Sequence, residues 1–231
     1  MELKGKAAIV TGASKGIGKA ITQALLEKGV RVAGWSRSAP DIHHPQFTYI
    51  KTDISKMQEA DSAFEKSLMA LSNELHILIN NAGLGFFAKL EDITPEQWHQ
   101  MFNTNVHGLY YVTRKAIPLM KAQQLGHIVN IASIAGLTGI EEATGYCATK
   151  FAVRGISQSL FKELRKHNIK VTSICPGSVN TEFFNNVEGT TANETMIHPE
   201  DLAASVIHLL ETPDNFLPVE LEVRPLNVRY N

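Results

Sequence analysis

A serine, a tyrosine and a lysine in the second half of the chain have the types and spacing needed for acid–base chemistry on a carbonyl or an alcohol. Tyr146 and Lys150 stand four residues apart in "YCATK", so a helix here would place them one turn apart on the same face. A free phenol titrates near pH ~10, and a nearby ammonium stabilises the phenolate. We therefore expect Lys150 to lower the pKa of Tyr146, which would exchange a proton with a substrate oxygen held by Ser133.

Ser133 follows the apolar run "HIVNI" (127–131), which has the length and composition of a buried strand. Ligands of open α/β folds bind at the carboxyl edge of the sheet, where such a serine would emerge. Proton transfer alone does not oxidise or reduce a carbonyl carbon, and hydride transfer is the chemistry that a nicotinamide cofactor supplies. The sequence therefore raises the question of where a dinucleotide would bind.

A glycine-rich turn near the start of the chain has the features of a phosphate-binding site. In "TGASKGIGKA" (11–20), Gly12, Gly16 and Gly18 separate the strand-like "AAIVT" from a helical stretch that ends near Gly29. Glycines permit a tight turn and close backbone approach, and the start of the helix favours a bound phosphate. The spacing G-x-x-x-G-x-G differs from both the commonest dinucleotide fingerprint and the nucleoside-triphosphate loop.

The end of the second predicted strand indicates which dinucleotide would bind. An acidic residue at this position commonly accepts hydrogen bonds from the adenosine ribose, whereas a basic one accommodates a 2′-phosphate. The chain reads "GWSRS", with Ser36, Arg37 and Ser38 at this point and no acid before Asp41. Arg37 and Lys15 are expected to converge on one phosphate, which favours NADP(H) over NAD(H). The alternative, two solvated surface charges, leaves the missing acid unexplained.

The elements that must position these residues alternate along the whole chain. Apolar runs of strand length are separated by stretches with helical spacing, which predicts a doubly wound α/β fold with a parallel sheet and helices on both faces. We expect one dinucleotide-binding catalytic domain over residues 1–231, with a short substrate lid near residues 180–197. The predicted strands are 7–11, 31–35, 47–51, 76–80, 127–131, 170–175 and 219–223.

Composition excludes several classes of protein. Of 231 residues, 44% are hydrophobic and the formal net charge is -1, so neither disorder nor a nucleic-acid partner is indicated. No run approaches the roughly 20 apolar residues of a membrane span, and the first residues lack the features of a signal peptide, so we expect a cytoplasmic protein. Cys147 and Cys175 are expected to be free thiols. The nine histidines form no ligand pattern, so no metal is expected.

Several short motifs, in order along nearly the whole chain, resemble those of the short-chain dehydrogenase/reductase family, in its group of about 250 residues. They are "TGASKGIG" (11–18), "NNAG" (80–83), Ser133 with "YCATK" (146–150), and "PGSVNT" (176–181). The resemblance implies a single-domain Rossmann fold with a seven-stranded parallel sheet of order 3-2-1-4-5-6-7. It also implies three helices on each side of the sheet and a dimer or tetramer.

The resemblance assigns roles residue by residue. Ser133, Tyr146 and Lys150 would be catalytic, and Asn105 would support a water-linked proton relay to Lys150. Asp53 and Ile54 would contact adenine, the turn at 80–83 would line the ribose, and the segment at 176–181 would hold the carboxamide. The residues expected to bind the cofactor are Gly12, Ser14, Lys15, Gly16, Ile17, Gly18, Ser36, Arg37, Asp53, Ile54, Asn80, Ala82, Gly83, Tyr146, Lys150, Pro176, Gly177, Val179 and Thr181.

Some of these residues have structural alternatives when they are taken singly. Asn80 and Asn81 could cap the turn after a strand, Asp53 could cap a helix, and Gly177 could merely turn the chain. A non-catalytic NADP(H)-binding sensor is the alternative for the whole chain. Because a sensor needs only the phosphate-binding half, the presence of Asn105 and the Ser-Tyr-Lys set favours an enzyme.

The substrate is less defined. The first part of the chain resembles the 3-oxoacyl-carrier-protein reductases, but "LPVELEVRPLNVRYN" lacks their glycine-rich last strand and looks more like the branch acting on small hydroxy acids and assorted carbonyls. A 3-oxoacyl group and a 3-hydroxy acid therefore both remain open. Glu141 and Glu142, near the mouth of the pocket, favour a neutral ketone or aldehyde over a carboxylate. The predicted apolar lining is Phe86, Phe87, Ile134, Ile140, Phe183, Phe184 and Met196.

Overall fold

A parallel sheet forms the centre of the molecule. The computed structural model describes residues 1–183 and 191–227. Its seven strands pair in the order β3-β2-β1-β4-β5-β6-β7, all in parallel, which confirms the predicted fold class and strand order. The strands are β1 (Ala7–Thr11), β2 (Arg31–Ser36), β3 (Phe47–Lys51), β4 (Ile77–Asn80), β5 (Gly126–Ile131), β6 (Ile169–Pro176) and β7 (Glu220–Val223).

The central strands are apolar because helices cover both of their faces. Every residue of β1, β4 and β5 is buried, as expected for parallel strands between two helical layers. The predicted strand limits agree with the observed ones to within one residue. The edge strand β7 alternates exposed and half-buried residues, because only part of it is covered.

Helices form the two outer layers. They are α1 (Gly16–Glu27), α2 (Met57–Ala70), α3 (Pro95–Phe102), α4 (Leu109–Gln123), α5 (Thr144–Leu164) and α6 (Pro199–Glu211). Side chains of α1 and α6 pack on one face of the sheet, and those of α2, α4 and α5 pack on the other. None of the described helices is long and apolar enough to cross a membrane.

The expectation of three helices on each side is wrong for one face. The connection between β2 and β3, residues 37–46, contains no helix. Pro40 and Pro45 lie in this short stretch, and each lacks the backbone N–H that a helix interior requires. The side of the sheet that carries α1 and α6 is therefore covered by two helices.

The expected lid is anchored at both ends. Val179 and Ile197 form an isolated parallel bridge, and the backbone N–H of Asn180 donates to the carbonyl of Ile197 at 2.8 Å. Residues 184–190 of this segment lie outside the described residues. The bridge brings both ends of the segment to the carboxyl end of β6, which is the edge where β1, β4 and β5 also end.

Candidate active site

A cavity of about 920 Å³ lies at the carboxyl edge of the sheet. It is lined by residues that follow β1, β2, β3, β4, β5 and β6, so the fold brings together side chains far apart in sequence. Ser133, Tyr146 and Lys150 line it, as do all the predicted cofactor residues except Gly18 and Asn80. The glycine turn and the predicted catalytic set thus share one cavity.

The predicted acid–base group lies in the first turns of α5. Tyr146 and Lys150 are both buried, and the Lys150 Nζ lies 5.6 Å from the centroid of the Tyr146 ring. The Lys150 ammonium donates to the carbonyl of Ile131 at 2.9 Å, at the end of β5. The Ser133 hydroxyl accepts from the N–H of Ala135 at 3.1 Å and also hydrogen-bonds Tyr146. The three side chains therefore converge on one wall of the cavity.

The pKa of Tyr146 does not follow the sequence prediction. Burial raises the pKa of Tyr146 to about 12, although its hydrogen bond with Ser133 acts in the opposite direction. Burial also lowers the pKa of Lys150 to about 8. The pKa of Tyr146 is therefore raised, against the expectation that Lys150 lowers it, because desolvation of the buried phenol dominates and the Lys150 ammonium is directed at the Ile131 carbonyl.

Asn105 lies outside the cavity wall and ties two parts of the site together. It is buried in a π-helical segment, Asn103–Gly108, that joins α3 to α4. Its amide donates to the Leu84 carbonyl at 2.8 Å and the Thr149 hydroxyl at 2.9 Å, and its oxygen accepts from the Leu84 N–H. Asn105 therefore connects the loop after β4 to the helix that carries Lys150, and its relay role stays a prediction.

The glycine turn has the conformation that its sequence predicts. Gly12 and Gly16 adopt positive φ angles of 70° and 53°, which side chains rarely permit. Gly18 is buried beneath the turn, where an added Cβ would lie 2.2 Å from the Gly12 carbonyl oxygen. Gly18 thus brings α1 close to the turn, as expected of these glycines, and does not itself line the cavity, so its contact with a cofactor stays a prediction.

The two adjacent asparagines at the end of β4 differ in their contacts. Asn80 is buried at the end of β4 and donates to Thr113 at 2.9 Å and to Asn130 at 2.8 Å, so its side chain bonds within the fold and its expected contact with the ribose stays a prediction. Asn81 lines the cavity instead and donates to the carbonyls of Thr11 and Gly12 at 3.0 and 3.2 Å. Because side chains alternate along a strand, the residue one step past β4 is the one that emerges.

Asp53 and Ile54 line the cavity after β3. The Asp53 carboxylate accepts from the N–H and the hydroxyl of Ser55, at 3.1 and 2.7 Å, so it stabilises a turn and does not cap α2. Ser36, at the end of β2, donates its hydroxyl to the Ser38 carbonyl at 2.8 Å. This end of the cavity is therefore built of short polar turns.

The two predicted phosphate-binding cations differ in their contacts. The Lys15 Nζ lies 2.6 Å from a carboxylate oxygen of Glu182, and both side chains are exposed. The hydrogen bond from Lys15 lowers the pKa of Glu182. Arg37 is exposed on the cavity wall and makes no hydrogen bond or ion pair within the described part of the chain. The sequence did not indicate Glu182, because residue 182 is distant from the glycine turn in the chain.

Aromatic rings cover the phenol on the substrate side. The Phe87 and Phe183 ring centroids lie 5.3 and 5.6 Å from that of Tyr146, and 5.9 Å from each other. Ile134, Ile140, Glu141 and Glu142 also line this part of the cavity. Phe86 and Met196, which were expected in the lining, do not line the cavity: Phe86 packs against the cluster that contains Tyr146, and Met196 is buried. Phe184 lies outside the described residues.

Metal ligands were sought across the described residues. No group of three or more histidine, cysteine, aspartate or glutamate side chains there could hold a metal ion. Cys147 and Cys175 are both buried and unpaired with each other.

Comparison with known proteins identifies the family. The family model for short chain dehydrogenases matches residues 6–192. An uncharacterized oxidoreductase of Staphylococcus aureus strain MRSA252 is 36% identical over 231 residues, which cover 97% of this chain and 99% of that protein. The match covers nearly the full length of both chains.

Two solved structures resemble the fold closely. A 3-ketoacyl-(acyl-carrier-protein) reductase from Brucella melitensis, complexed with NADH, has a TM-score of 0.88 at 28% identity and covers 97% of this chain and 98% of its own. An alcohol dehydrogenase from the archaeon Thermococcus sibiricus, complexed with 5-hydroxy-NADP, has a TM-score of 0.87 at 28% identity with the same coverage. Together with the family match, these likenesses support a nicotinamide cofactor. The chain belongs to the short-chain dehydrogenase/reductase family of oxidoreductases.

Proposed function

We propose that the protein is an NADPH-dependent oxidoreductase that transfers hydride between the nicotinamide and a carbonyl or secondary alcohol. The observation that carries this proposal is the convergence of Ser133, Tyr146 and Lys150 on the cavity that also holds the glycine turn. A sensor would need only the phosphate-binding half of this cavity. The complete acid–base set therefore favours an enzyme over a binding protein.

The end of the cavity formed by the glycine turn and by the residues after β2 and β3 is here called the adenosine end. Its residues fit a dinucleotide. The first turn of α1 has no side-chain cap, so its backbone N–H groups are free to meet a phosphate. Gly12 and Gly16 supply the close backbone approach, and Ile54 and Ala82 supply apolar contact for a base and sugar. The segment Pro176 to Thr181 would hold the carboxamide. The bound cofactor would supply or accept the hydride.

The acid–base set would handle the proton. With a pKa of about 12, Tyr146 keeps its proton at neutral pH and is poised to donate it to a carbonyl oxygen as hydride reaches the carbon. Ser133 would hold the same oxygen. Lys150 would bind the ribose hydroxyls through its ammonium, and Asn105 would keep the loop at Leu84 and α5 in register and support the relay of protons to Lys150.

Charge at the adenosine end supports NADP(H) over NAD(H). Arg37 and Lys15 line this end, and no acidic side chain occurs at the end of β2, where one would accept the ribose hydroxyls. Because NADPH is usually kept reduced in cells, this preference would favour carbonyl reduction.

The cavity supports a neutral, largely apolar substrate. The rings of Phe87 and Phe183 lie beside that of Tyr146, Ile140 adds apolar lining, and Glu141 and Glu142 would repel a carboxylate at the mouth. A ketone or aldehyde is therefore favoured over a 3-hydroxy acid. A 3-oxoacyl group, possible for a relative of the ketoacyl reductases, would need its carrier to dock outside this mouth.

A homo-oligomer is part of the proposal. Tyr110 on α4 and Phe151 on α5 are 55% and 43% exposed, which leaves aromatic surface on both of these helices. Pairing of these helices between copies would cover it in a dimer or tetramer of the cytoplasmic protein. A monomeric mass at micromolar concentration would contradict this assignment.

Turnover with a panel of carbonyl compounds tests the function. NADPH and NADH oxidation are followed in parallel with an acetoacetyl thioester, an aromatic diketone, a β-keto ester and simple aldehydes. Turnover that prefers NADPH supports the proposal, and the best substrate separates a fatty-acyl from a general carbonyl role. Tight NADPH binding with no turnover of any compound would favour the sensor.

A further inference from the structure

The ion pair between Lys15 and Glu182 joins two walls of the cofactor cavity. Lys15 lies in the glycine turn before α1, and Glu182 lies beyond β6, at the beginning of the lid segment. Their charged atoms are 2.6 Å apart, although the side chains are 67% and 62% exposed. The Glu182 carboxylate therefore pairs with the Lys15 ammonium, which the proposed function assigns to a cofactor phosphate.

The neighbours of Glu182 hold it in this position. An added Cβ on Gly16 would lie 3.1 Å from the Thr181 methyl carbon, so Thr181 packs directly against the glycine turn. On the other side, the Phe183 ring contacts the rings of Phe87 and Tyr146. Thr181 and Phe183 thus place the backbone of Glu182 beside the glycine turn, within reach of Lys15.

We propose that Glu182 is a specificity-determining residue that competes with the 2′-phosphate of NADPH for Lys15. This inference rests on the proposed cofactor site. NADH lacks the 2′-phosphate and need not displace Glu182, whereas NADPH must break the ion pair before Lys15 can bind its phosphate. Glu182 thus reduces the preference for NADPH that Lys15 and Arg37 create.

Cofactor affinities of matched variants test this competition. The Kd values of NADPH and NADH are measured by titration of wild type, Glu182→Gln and Glu211→Gln. The control breaks a similar exposed pair, Lys28 with Glu211 at 2.7 Å, which lies outside the cavity. We expect Glu182→Gln to raise the affinity for NADPH relative to NADH about two- to fivefold, the size of an exposed ion-pair effect. Glu211→Gln should leave the ratio unchanged.

A double variant separates competition from simple repulsion between Glu182 and the cofactor. In a Lys15→Gln background, Glu182→Gln should have no effect on the ratio, since the cation for which the two anions compete is gone. The same gain in both backgrounds, or an unchanged ratio in Glu182→Gln, would overturn the inference while leaving the proposed function intact. A wild-type protein that binds neither cofactor would contradict the proposed function itself.

Discussion

Tyr146 holds its proton more tightly than a free phenol, and Lys150 holds its proton less tightly than a free amine. Both effects come from burial, which disfavours the charged form of each group. At neutral pH the site therefore contains a neutral phenol, able to donate a proton, beside a charged ammonium. This pairing suits carbonyl reduction, in which the phenol gives its proton away.

The pKa of Lys150 predicts how cofactor binding depends on pH. The value of kcat/KM for NADPH reports groups of the free enzyme. Lys150 is charged below its pKa of about 8 and neutral above it, and the neutral form loses its attraction for the ribose oxygens. We expect kcat/KM for NADPH to be constant below about pH 8 and to fall above it. A constant value up to pH 10 would contradict the role of Lys150.

Substitution of Arg37 tests the proposed preference for NADPH over NADH. Replacing it with alanine removes an exposed guanidinium from the adenosine end of the cavity. We expect Arg37→Ala to raise the Kd of NADPH about three- to tenfold and to leave that of NADH unchanged. Arg165→Ala, which removes an exposed cation outside the cavity, serves as the control. Equal weakening of both cofactors would argue against a 2′-phosphate contact.

At the scale of elements, the site depends on how closely α1 approaches the end of β1. Gly18 permits that approach, because a Cβ there would lie 2.2 Å from the Gly12 carbonyl oxygen and 2.4 Å from the Asn81 amide nitrogen. Gly18 therefore determines the shape of the glycine turn without lining the cavity.

A methyl group at this position should disrupt the turn. We expect Gly18→Ala to lower the free energy of unfolding by about 1–3 kcal/mol, as overpacking does, and to weaken binding of both cofactors. Gly139→Ala is the matched control, since a Cβ there meets nothing within 4 Å. Chemical denaturation and cofactor titration check both effects. If Gly18→Ala bound both cofactors as tightly as wild type does, the turn would tolerate displacement and the role assigned to Gly18 would be contradicted.

The sequence predicted the strands well because their apolar runs are unambiguous between glycines and polar turns. It also predicted most of the cavity wall, since parallel strands end at one edge. Pro40 and Pro45 disfavour a helix over residues 37–46, so the expected third helix beside α1 and α6 rests on the resemblance alone. The sequence could not predict that Asn105 lies in a π-helical segment, because that depends on how neighbouring elements pack. The Lys15–Glu182 pair and the direction of the Tyr146 pKa were missed for the same reason, as contact and burial are properties of the folded chain.

At the scale of the whole molecule, the sheet contains a polar group that makes stability depend on pH. His127 on β5 is fully buried, and burial lowers its pKa to about 3, with the charges of Lys170 and the N-terminus adding to the effect. Its Nε2 lies 2.9 Å from the Thr172 hydroxyl, which itself donates to the Pro218 carbonyl, so Nε2 carries the proton. The folded protein thus holds a neutral imidazole in its core.

Acid should therefore destabilise the protein through His127. The unfolded chain protonates this histidine near pH ~6.5, whereas the folded chain resists protonation until about pH 3, so the unfolded state binds more protons in between. The free energy of unfolding should fall by about 2 kcal/mol from this group between pH 7 and pH 5. Denaturant titrations should show a flatter pH dependence in His127→Gln. An identical dependence in both proteins would contradict the assignment.

The most direct test of the central claim is the rate of NADPH oxidation by Tyr146→Phe with the best carbonyl substrate of wild type. The substitution removes the hydroxyl and keeps the ring that contacts Phe87 and Phe183. We predict that turnover falls at least about 100-fold, the size of a general-acid contribution, while the Kd of NADPH stays within about twofold. Turnover within about tenfold of wild type would show that Tyr146 is not the proton donor.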